Sequence, residues 1–146
     1  FNGVQAYYAV DGSLTTLAKL RYATERIVQE LREIEYTDPV GTSTGPYLLT
    51  ASFPSTSSTS ITFTRQDATV VTIDGGSSPL TIKYDAGTAY TLTDGLSSLT
   101  FNLYQSDGVT GAISAALTAY VEINITLVEG TNSYSQRTRV GLRDNI

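Results

Sequence analysis

Four residue types with distinctive chemistry are absent from the sequence: cysteine, histidine, methionine and tryptophan. The absence of cysteine excludes a disulfide scaffold, a thiol nucleophile and a cysteine-ligated zinc. The absence of histidine removes the commonest general base and metal ligand, and with it every histidine-dependent catalytic arrangement.

Positive charge is scarce as well. Nine lysines and arginines are scattered among 14 acidic residues, which gives a net charge of −5. Because nucleic-acid binding requires a clustered basic surface, we expect no nucleic-acid partner.

The chain also lacks a long hydrophobic run and an initiating methionine. No stretch is long and apolar enough to span a bilayer. Because translation begins at methionine and this sequence begins at Phe1, we expect that an N-terminal segment has been removed, by processing or by truncation. A signal peptide and a membrane anchor are the two candidates for that segment.

One strong helical pattern is present, in the segment LRYATERIVQELREIEYTDP. Apolar residues recur there at steps of three and four, which indicates a narrow helical stripe. Ser13 or Asp11 is the expected N-cap, and Pro39 is the expected stop, so the helix is predicted over about residues 14–36. An alternative reading continues the same helix down through residues 1–10. The predicted helix–sheet packing seam consists of Leu17, Leu20, Ile27, Leu31 and Ile34.

After Pro39 the hydrophobic period changes from 3.6 to 2. A connector rich in Ser, Thr, Gly and Pro is predicted over about residues 37–60, and alternating antiparallel strands over about 61–142. Asp-Gly and Glu-Gly pairs mark turns between the strands. The sequence therefore predicts a single α+β domain, residues 1–146, with a long N-terminal helix packed on an antiparallel sheet.

The last two strands are predicted to form a hairpin around Gly130-Thr131. Strand alternation sets Glu122 opposite Arg139 and Asn124 opposite Arg137 in that hairpin. Two interpretations of the basic residues stay open: they are solvated or paired with acids such as Glu122, or they form a subunit contact surface. The three basic residues of that face are Arg137, Arg139 and Arg143.

Single aspartates stand beside several turns without a calcium-loop pattern. Asp before Gly is what ordinary turns favour, so we predict no metal site, no cofactor-binding residue and no catalytic residue. The sequence is not expected to be that of an enzyme. The aspartates are Asp67, Asp74, Asp85, Asp94 and Asp107.

Several short segments, taken in order, resemble the minor type IV pilins and the type II secretion pseudopilins of bacteria. They are ATERIVQELREIEY, ITFTRQD, LTIKYD, LTDGLSSLTF, YVEINITL and SYSQRTRVGLR, and they cover nearly the whole chain. The resemblance implies a structural subunit that is made with an apolar half-helix as an inner-membrane anchor. It implies a periplasmic or extracellular head, and it implies other pilin or pseudopilin subunits as partners.

An alternative function is a secreted β-rich binding module that recognises carbohydrate through exposed tyrosines. The chain has ten tyrosines, and aromatic faces stack on apolar surfaces. However, Tyr84 and Tyr90 fall on the apolar faces of their predicted strands, so both are predicted to lie in the core.

Overall fold

The computed structural model describes the backbone of residues 2–34, 49–50, 57–112 and 118–142, and the side chains of 15–34, 58–112 and 118–142. Helix α1 comprises Asn2–Arg32. The strands are β1 (Leu49–Thr50), β2 (Ser57–Ser58), β3 (Ser60–Thr64), β4 (Val70–Asp74), β5 (Leu80–Tyr84), β6 (Tyr90–Thr93), β7 (Leu96–Tyr104), β8 (Tyr120–Glu129) and β9 (Asn132–Gly141).

The strands form two antiparallel sheets, so the predicted fold class is wrong. One sheet has five strands in the order β1-β3-β4-β5-β6, and the other has four in the order β2-β7-β8-β9. The protein is mainly β, and α1 packs against strands of both sheets, β8 and β9 of one and β6 of the other, and not on a single sheet. Alternating hydrophobicity does not distinguish one sheet from two, because every half-buried strand shows it.

Two glycines lie where the two sheets meet. Gly95 lies between β6 and β7 with φ of +66°, a left-handed conformation that lets the chain leave one sheet and enter the other. Gly75, after β4, is buried against β7, and a Cβ atom there would lie 2.3 Å from Leu99 Cδ2. The two sheets therefore share one core, and a single buried cluster contains residues of both sheets and of α1.

Four of the five predicted seam residues are buried. Leu20, Ile27, Leu31 and Ile34 are at most 2% exposed, whereas Leu17 is 41% exposed. Leu17 is therefore not part of the buried seam. Within the described parts of the chain, α1 has its closest contacts with β8, β9 and β6.

The predicted bounds of about 14–36 are wrong at both ends. The helix begins at Asn2 and includes Asp11 and Ser13, the two expected N-caps, so the alternative reading that continues the helix down through residues 1–10 agrees with the structure from Asn2 onward. It ends at Arg32 and not near residue 36, because Ile34 forms an antiparallel bridge with Arg65 beside β3. That extended pairing cannot coexist with continued helical hydrogen bonding.

The predicted terminal hairpin is confirmed. In the β8–β9 ladder Glu122 lies opposite Arg139 and Asn124 opposite Arg137, and Glu129 pairs with Asn132 at the turn. Gly130 takes φ of +60° in that turn, which glycine adopts at little cost.

Other sequence predictions lie partly or wholly outside the described residues. These include Pro39, most of the 37–60 connector and Arg143. The predicted burial of Tyr90 is wrong, since its side chain is 62% exposed. Tyr90 begins β6, which lies at one edge of its sheet as described, where an alternating pattern does not guarantee a covering layer.

Candidate functional site

The C-terminal end of α1 is joined to the five-stranded sheet by a cluster of charged side chains, which we call the Glu30 clamp (Arg26, Glu30, Arg65, Asp67 and Tyr84). Arg65 Nη1 donates to Glu30 Oε2 at 2.9 Å, and Arg65 Nη2 donates to Asp67 Oδ2 at 2.7 Å. Arg26 Nη2 donates to the Tyr84 hydroxyl at 2.5 Å and lies 3.7 Å from Glu30 Oε1. The clamp thus connects α1 to residues at the ends of β3 and β5.

Local sequence positions these groups. Arg26 and Glu30 are one helical turn apart on α1, so they face the same direction. Arg65 follows β3 directly, and its backbone is fixed by the bridge to Ile34 and by a hydrogen bond from the Gln66 N–H to the Glu33 carbonyl, 2.8 Å. The Arg65 guanidinium also lies over the Tyr84 ring, 5.4 Å from the ring centroid, a cation–π contact.

The charges of the clamp stabilise each other. Hydrogen bonds from Arg65 and from the Thr69 backbone lower the pKa of Asp67 to about 2. The Asp67 carboxylate in turn raises the pKa of Arg65. Burial, followed by the nearby Glu30 carboxylate, raises the pKa of Tyr84. Glu30 itself is only 5% exposed, and its two arginine neighbours provide the counter-charge that a buried carboxylate requires.

A second, exposed ion pair joins α1 to the other end of the β structure. Lys19 Nζ donates to Asp94 Oδ1 at 2.9 Å, which lowers the pKa of Asp94. Beside the pair, the Thr16 hydroxyl donates to Glu129 at the end of β8. A cleft of about 430 Å³ opens here between α1, the β6–β7 turn and the β8–β9 turn.

A separate groove runs between α1 and β6, and we call it the β6 groove. Its volume is about 460 Å³, and its walls include Ala18 and Tyr22 on the helix and Thr91 and Leu92 on the strand. Tyr22 is 57% exposed, so its ring forms an accessible wall of this groove.

The structure brings Arg137 and Arg139 to the same outer face of the four-stranded sheet. Arg139 is occupied within the chain, since its guanidinium lies 4.7 Å from the Tyr104 ring centroid and 5.7 Å from that of Tyr120. It also lies 3.5 Å from Glu122. Arg137 is exposed, so of these two arginines it is the more available for contact with another molecule.

Glu122 occupies the centre of this outer face. Partial burial opposes its ionisation, but hydrogen bonds from Asn124 and Asn102 outweigh the burial and hold the pKa of the carboxyl below its usual value. The Asn102 and Asn124 amides lie 3.4 and 3.3 Å from Glu122 Oε1. The interpretation that the arginines pair with Glu122 applies to Arg139. Its Nη2 atom lies 3.5 Å from Glu122 Oε2, at the long end of hydrogen-bonding distance.

Two of the predicted turn aspartates bond within their own turns: Asp74 accepts from the Gly76 N–H at 2.9 Å, and Asp107 accepts from the N–H groups of Val109 and Thr110. Asp85 instead accepts from the Val70 N–H on β4 at 3.0 Å, and Asp94 pairs with Lys19 on α1. Among the residues with described side chains, no three Asp or Glu carboxylates form a group that could hold a metal ion. Likewise, no helix within the described ranges is sufficiently long and apolar to traverse a bilayer.

The sequence analysis did not identify the Glu30 clamp, because a carboxylate in a charged helical segment is normally exposed. The available signal was Arg65, a lone basic residue directly after a strand, followed two positions later by Asp67. That spacing alone does not reveal which distant helix residue completes the ion pair.

Comparison of the chain with family models, with curated proteins and with solved structures gives no match.

Proposed function

We propose that this protein is a non-enzymatic structural subunit, a minor pilin or pseudopilin, which works by assembly into a type IV pilus or a type II secretion pseudopilus. The observation that carries the proposal is the double attachment of α1 to the β structure. The helix is held by the Glu30 clamp near its C-terminal end and by the Lys19–Asp94 pair near its middle. A subunit whose helix carries its head in a filament requires that the two move as one body.

The distribution of polar groups on α1 is consistent with that role. One face of the described helix is buried in the core, and the opposite face carries the exposed charged residues Arg21, Glu25 and Arg32. A head bound through the first face leaves the second available to neighbouring subunits. The ordered sequence segments that resemble minor pilins and pseudopilins supply the second line of support.

The proposed partners are other pilin or pseudopilin subunits, and the proposed location is an inner-membrane-anchored subunit with its head in the periplasm or outside the cell. The anchor is an apolar half-helix, since such a segment is stable only in lipid or against other helices of the same kind. The head contributes contacts and no chemistry.

The test is genetic. We expect that deleting the gene abolishes pilus assembly or type II secretion, that the full-length precursor restores it, and that a form without the apolar anchor does not. A full-length Leu17→Ala variant is the control, since Leu17 lies outside the buried seam and the substitution should leave assembly intact.

Restoration by the anchorless form would contradict the assembly role. The alternative, a secreted β-rich module that binds carbohydrate, would then be the better function. The exposed rings of Tyr22 and Tyr90 favour that alternative, because aromatic faces are a common platform for sugar binding.

A further inference from the structure

The strand β9 lies at one end of the four-stranded sheet, and no described strand pairs with its outer side. It has ten residues, whereas the other strands that end a sheet, β1, β2 and β6, have two, two and four. The opposite end of the same sheet is covered, because β2 pairs with β7 and the Ala112 N–H donates to the Leu103 carbonyl at 2.9 Å. Among the described strands, β9 is therefore the longest open edge.

This edge has few of the features that normally prevent a strand from pairing further. Natural edge strands are short, carry proline, lysine or inward-pointing charges, or are bent by a bulge. The β8–β9 ladder continues through ten residue pairs without a register shift. The strand contains neither proline nor lysine, and its inward side chains, such as Gln136 and Thr138, are uncharged. The edge therefore keeps the regular geometry that an added strand requires.

The register determines which backbone groups of β9 face this open side. In an antiparallel pair, bonded positions alternate with positions whose N–H and C=O groups point away from the partner strand. The Leu142 N–H donates to the Ala119 carbonyl in the same register as the β8–β9 ladder, so the even-numbered residues of β9 bond to β8. The odd-numbered residues therefore direct their backbone groups outward, and we call this row the β9 edge: Ser133, Ser135, Arg137 and Arg139.

A groove between α1 and β9 lies beside this edge, and we call it the β9 groove. Its volume is about 260 Å³, and its walls include Glu25, Val28 and Arg32 on the helix and Gln136 and Thr138 on the strand. Because the side chains of a strand alternate between two faces, every second side chain of a strand added to β9 would point toward this groove. In such sites the backbone hydrogen bonds hold the added strand, and the groove selects its side chains.

Arg137 indicates the charge of the partner. Its side chain is exposed, and within the described part of the chain it has no hydrogen bond or salt bridge. Arg139, by contrast, already lies over the rings of Tyr104 and Tyr120. An added strand brings a side chain opposite Arg137 on the outer face of the sheet, where a carboxylate is favourable and a second cation is not.

We propose that the β9 edge binds an extended acidic segment of another protein as an additional strand, with a carboxylate opposite Arg137 and small aliphatic side chains in the β9 groove. The inference rests on the proposed assembly function, in which the partner is a different subunit of the same filament. A second β9 is disfavoured as the occupant. Antiparallel pairing of two copies along the full strand sets their Arg137 side chains opposite or diagonal to each other.

Amide hydrogen exchange of the purified chain, measured by NMR, tests the contact at single residues. The probe is a synthetic TVEVEVT peptide, in which valine alternates with threonine or glutamate. We expect millimolar peptide to slow the exchange of the Ser135 and Arg137 amides several-fold, because their N–H groups become hydrogen-bonded. The Gln136 and Thr138 amides, which already bond to β8, are the matched control and should not change. Unchanged exchange at Ser135 and Arg137 would overturn the proposal.

Two variants separate backbone pairing from charge. Ser135→Pro removes one outward N–H and leaves the bonds to β8 intact, since proline is tolerated at the outward positions of an edge strand, and it should abolish the slowing at Arg137. Ser135→Thr keeps the N–H and should retain the slowing. Arg137→Glu should weaken binding of TVEVEVT several-fold and strengthen binding of TVKVKVT several-fold. Equal responses of the parent chain to the two peptides would contradict the acidic partner.

The same assay distinguishes the other occupant. Exchange at the β9 edge that slows with rising chain concentration, in the absence of peptide, would identify a second copy as the occupant and reject the proposal. The assay requires no filament, so it fails independently of the genetic test. Unchanged exchange together with successful complementation rejects the β9 edge as a binding site and keeps the assembly role.

Discussion

Two regions of α1 are attached to the strands by the same chemistry in different surroundings. Near the C-terminal end the side chains of Glu30 and Arg65 are 7% and 22% exposed, whereas near the middle of the helix those of Lys19 and Asp94 are 46% and 70% exposed. Both pairs have an N–O distance of 2.9 Å. The distance alone therefore does not measure what each contributes. Water screens the second pair, and its net contribution is small, while removing one partner from the first leaves a charge with little access to water.

The largest test of this difference compares two leucines of α1. We expect Leu31→Ala to lower the free energy of unfolding by about 2–5 kcal/mol, because Leu31 is fully buried and truncation leaves a cavity. Leu17→Ala is the matched control near the middle of the helix, with an expected loss below about 1 kcal/mol. Urea unfolding of both variants measures the difference. Similar losses would mean that the two regions of α1 do not differ in packing.

A smaller effect is expected from the buried carboxylate. Glu30→Gln keeps the side-chain shape but removes the charge that faces Arg65 and Arg26, and we expect a loss of about 1–3 kcal/mol. Glu25→Gln, on the exposed face of the same helix, should change stability by no more than about 0.5 kcal/mol. If the two substitutions cost the same, the clamp behaves as a surface ion pair.

The smallest expected effects are changes in the pKa of two carboxyl groups, Asp67 in the Glu30 clamp and Asp94 in the exposed ion pair. The pKa of Asp67 is lowered to about 2 from 3.8, so the stability that its ionised form contributes is present above pH 3.8 and is lost as the pH falls toward 2. We expect Arg65→Gln to raise the pKa of Asp67, and Lys19→Gln to raise that of Asp94. Carboxyl NMR titrations of the variants and the parent chain check both directions. An Asp67 titration unchanged by Arg65→Gln would show that Arg65 does not cause its low pKa.

The local elements of the β region could be predicted from the sequence. Alternation in β8 and β9, with Gly130 at the turn, fixed the register that places Glu122 opposite Arg139. That success depends on short-range rules, since a one-residue slip would turn every apolar side chain of the strand outward. The buried residues of the helical stripe could also be predicted, because the 3.6-residue period places them on one face of α1.

The predictions that were wrong concern how distant parts of the chain pack against each helix or strand. Nothing in the strand pattern shows that β7 joins β2 in a second sheet, since the left-handed Gly95 and the close approach of Gly75 to Leu99 are not visible in the alternation. Leu17 and Tyr90 were predicted inward from periodicity, yet they are 41% and 62% exposed. Glu30 is buried beside Arg65, which lies 35 positions later in the sequence and supplies a counter-charge that no local pattern reveals.

The position of α1 has a consequence for the order of folding. The helix precedes every described strand in the sequence, but it packs mainly on β8 and β9, the last two strands described, and its Thr16 hydroxyl reaches Glu129, 113 residues away. Contacts of such long sequence separation form late, because a long loop must close before they contribute. A nascent chain therefore carries the apolar stripe of α1 uncovered until nearly all of the head has emerged. During that interval the stripe is a natural binding site for a chaperone, or for the misassembly that a chaperone prevents.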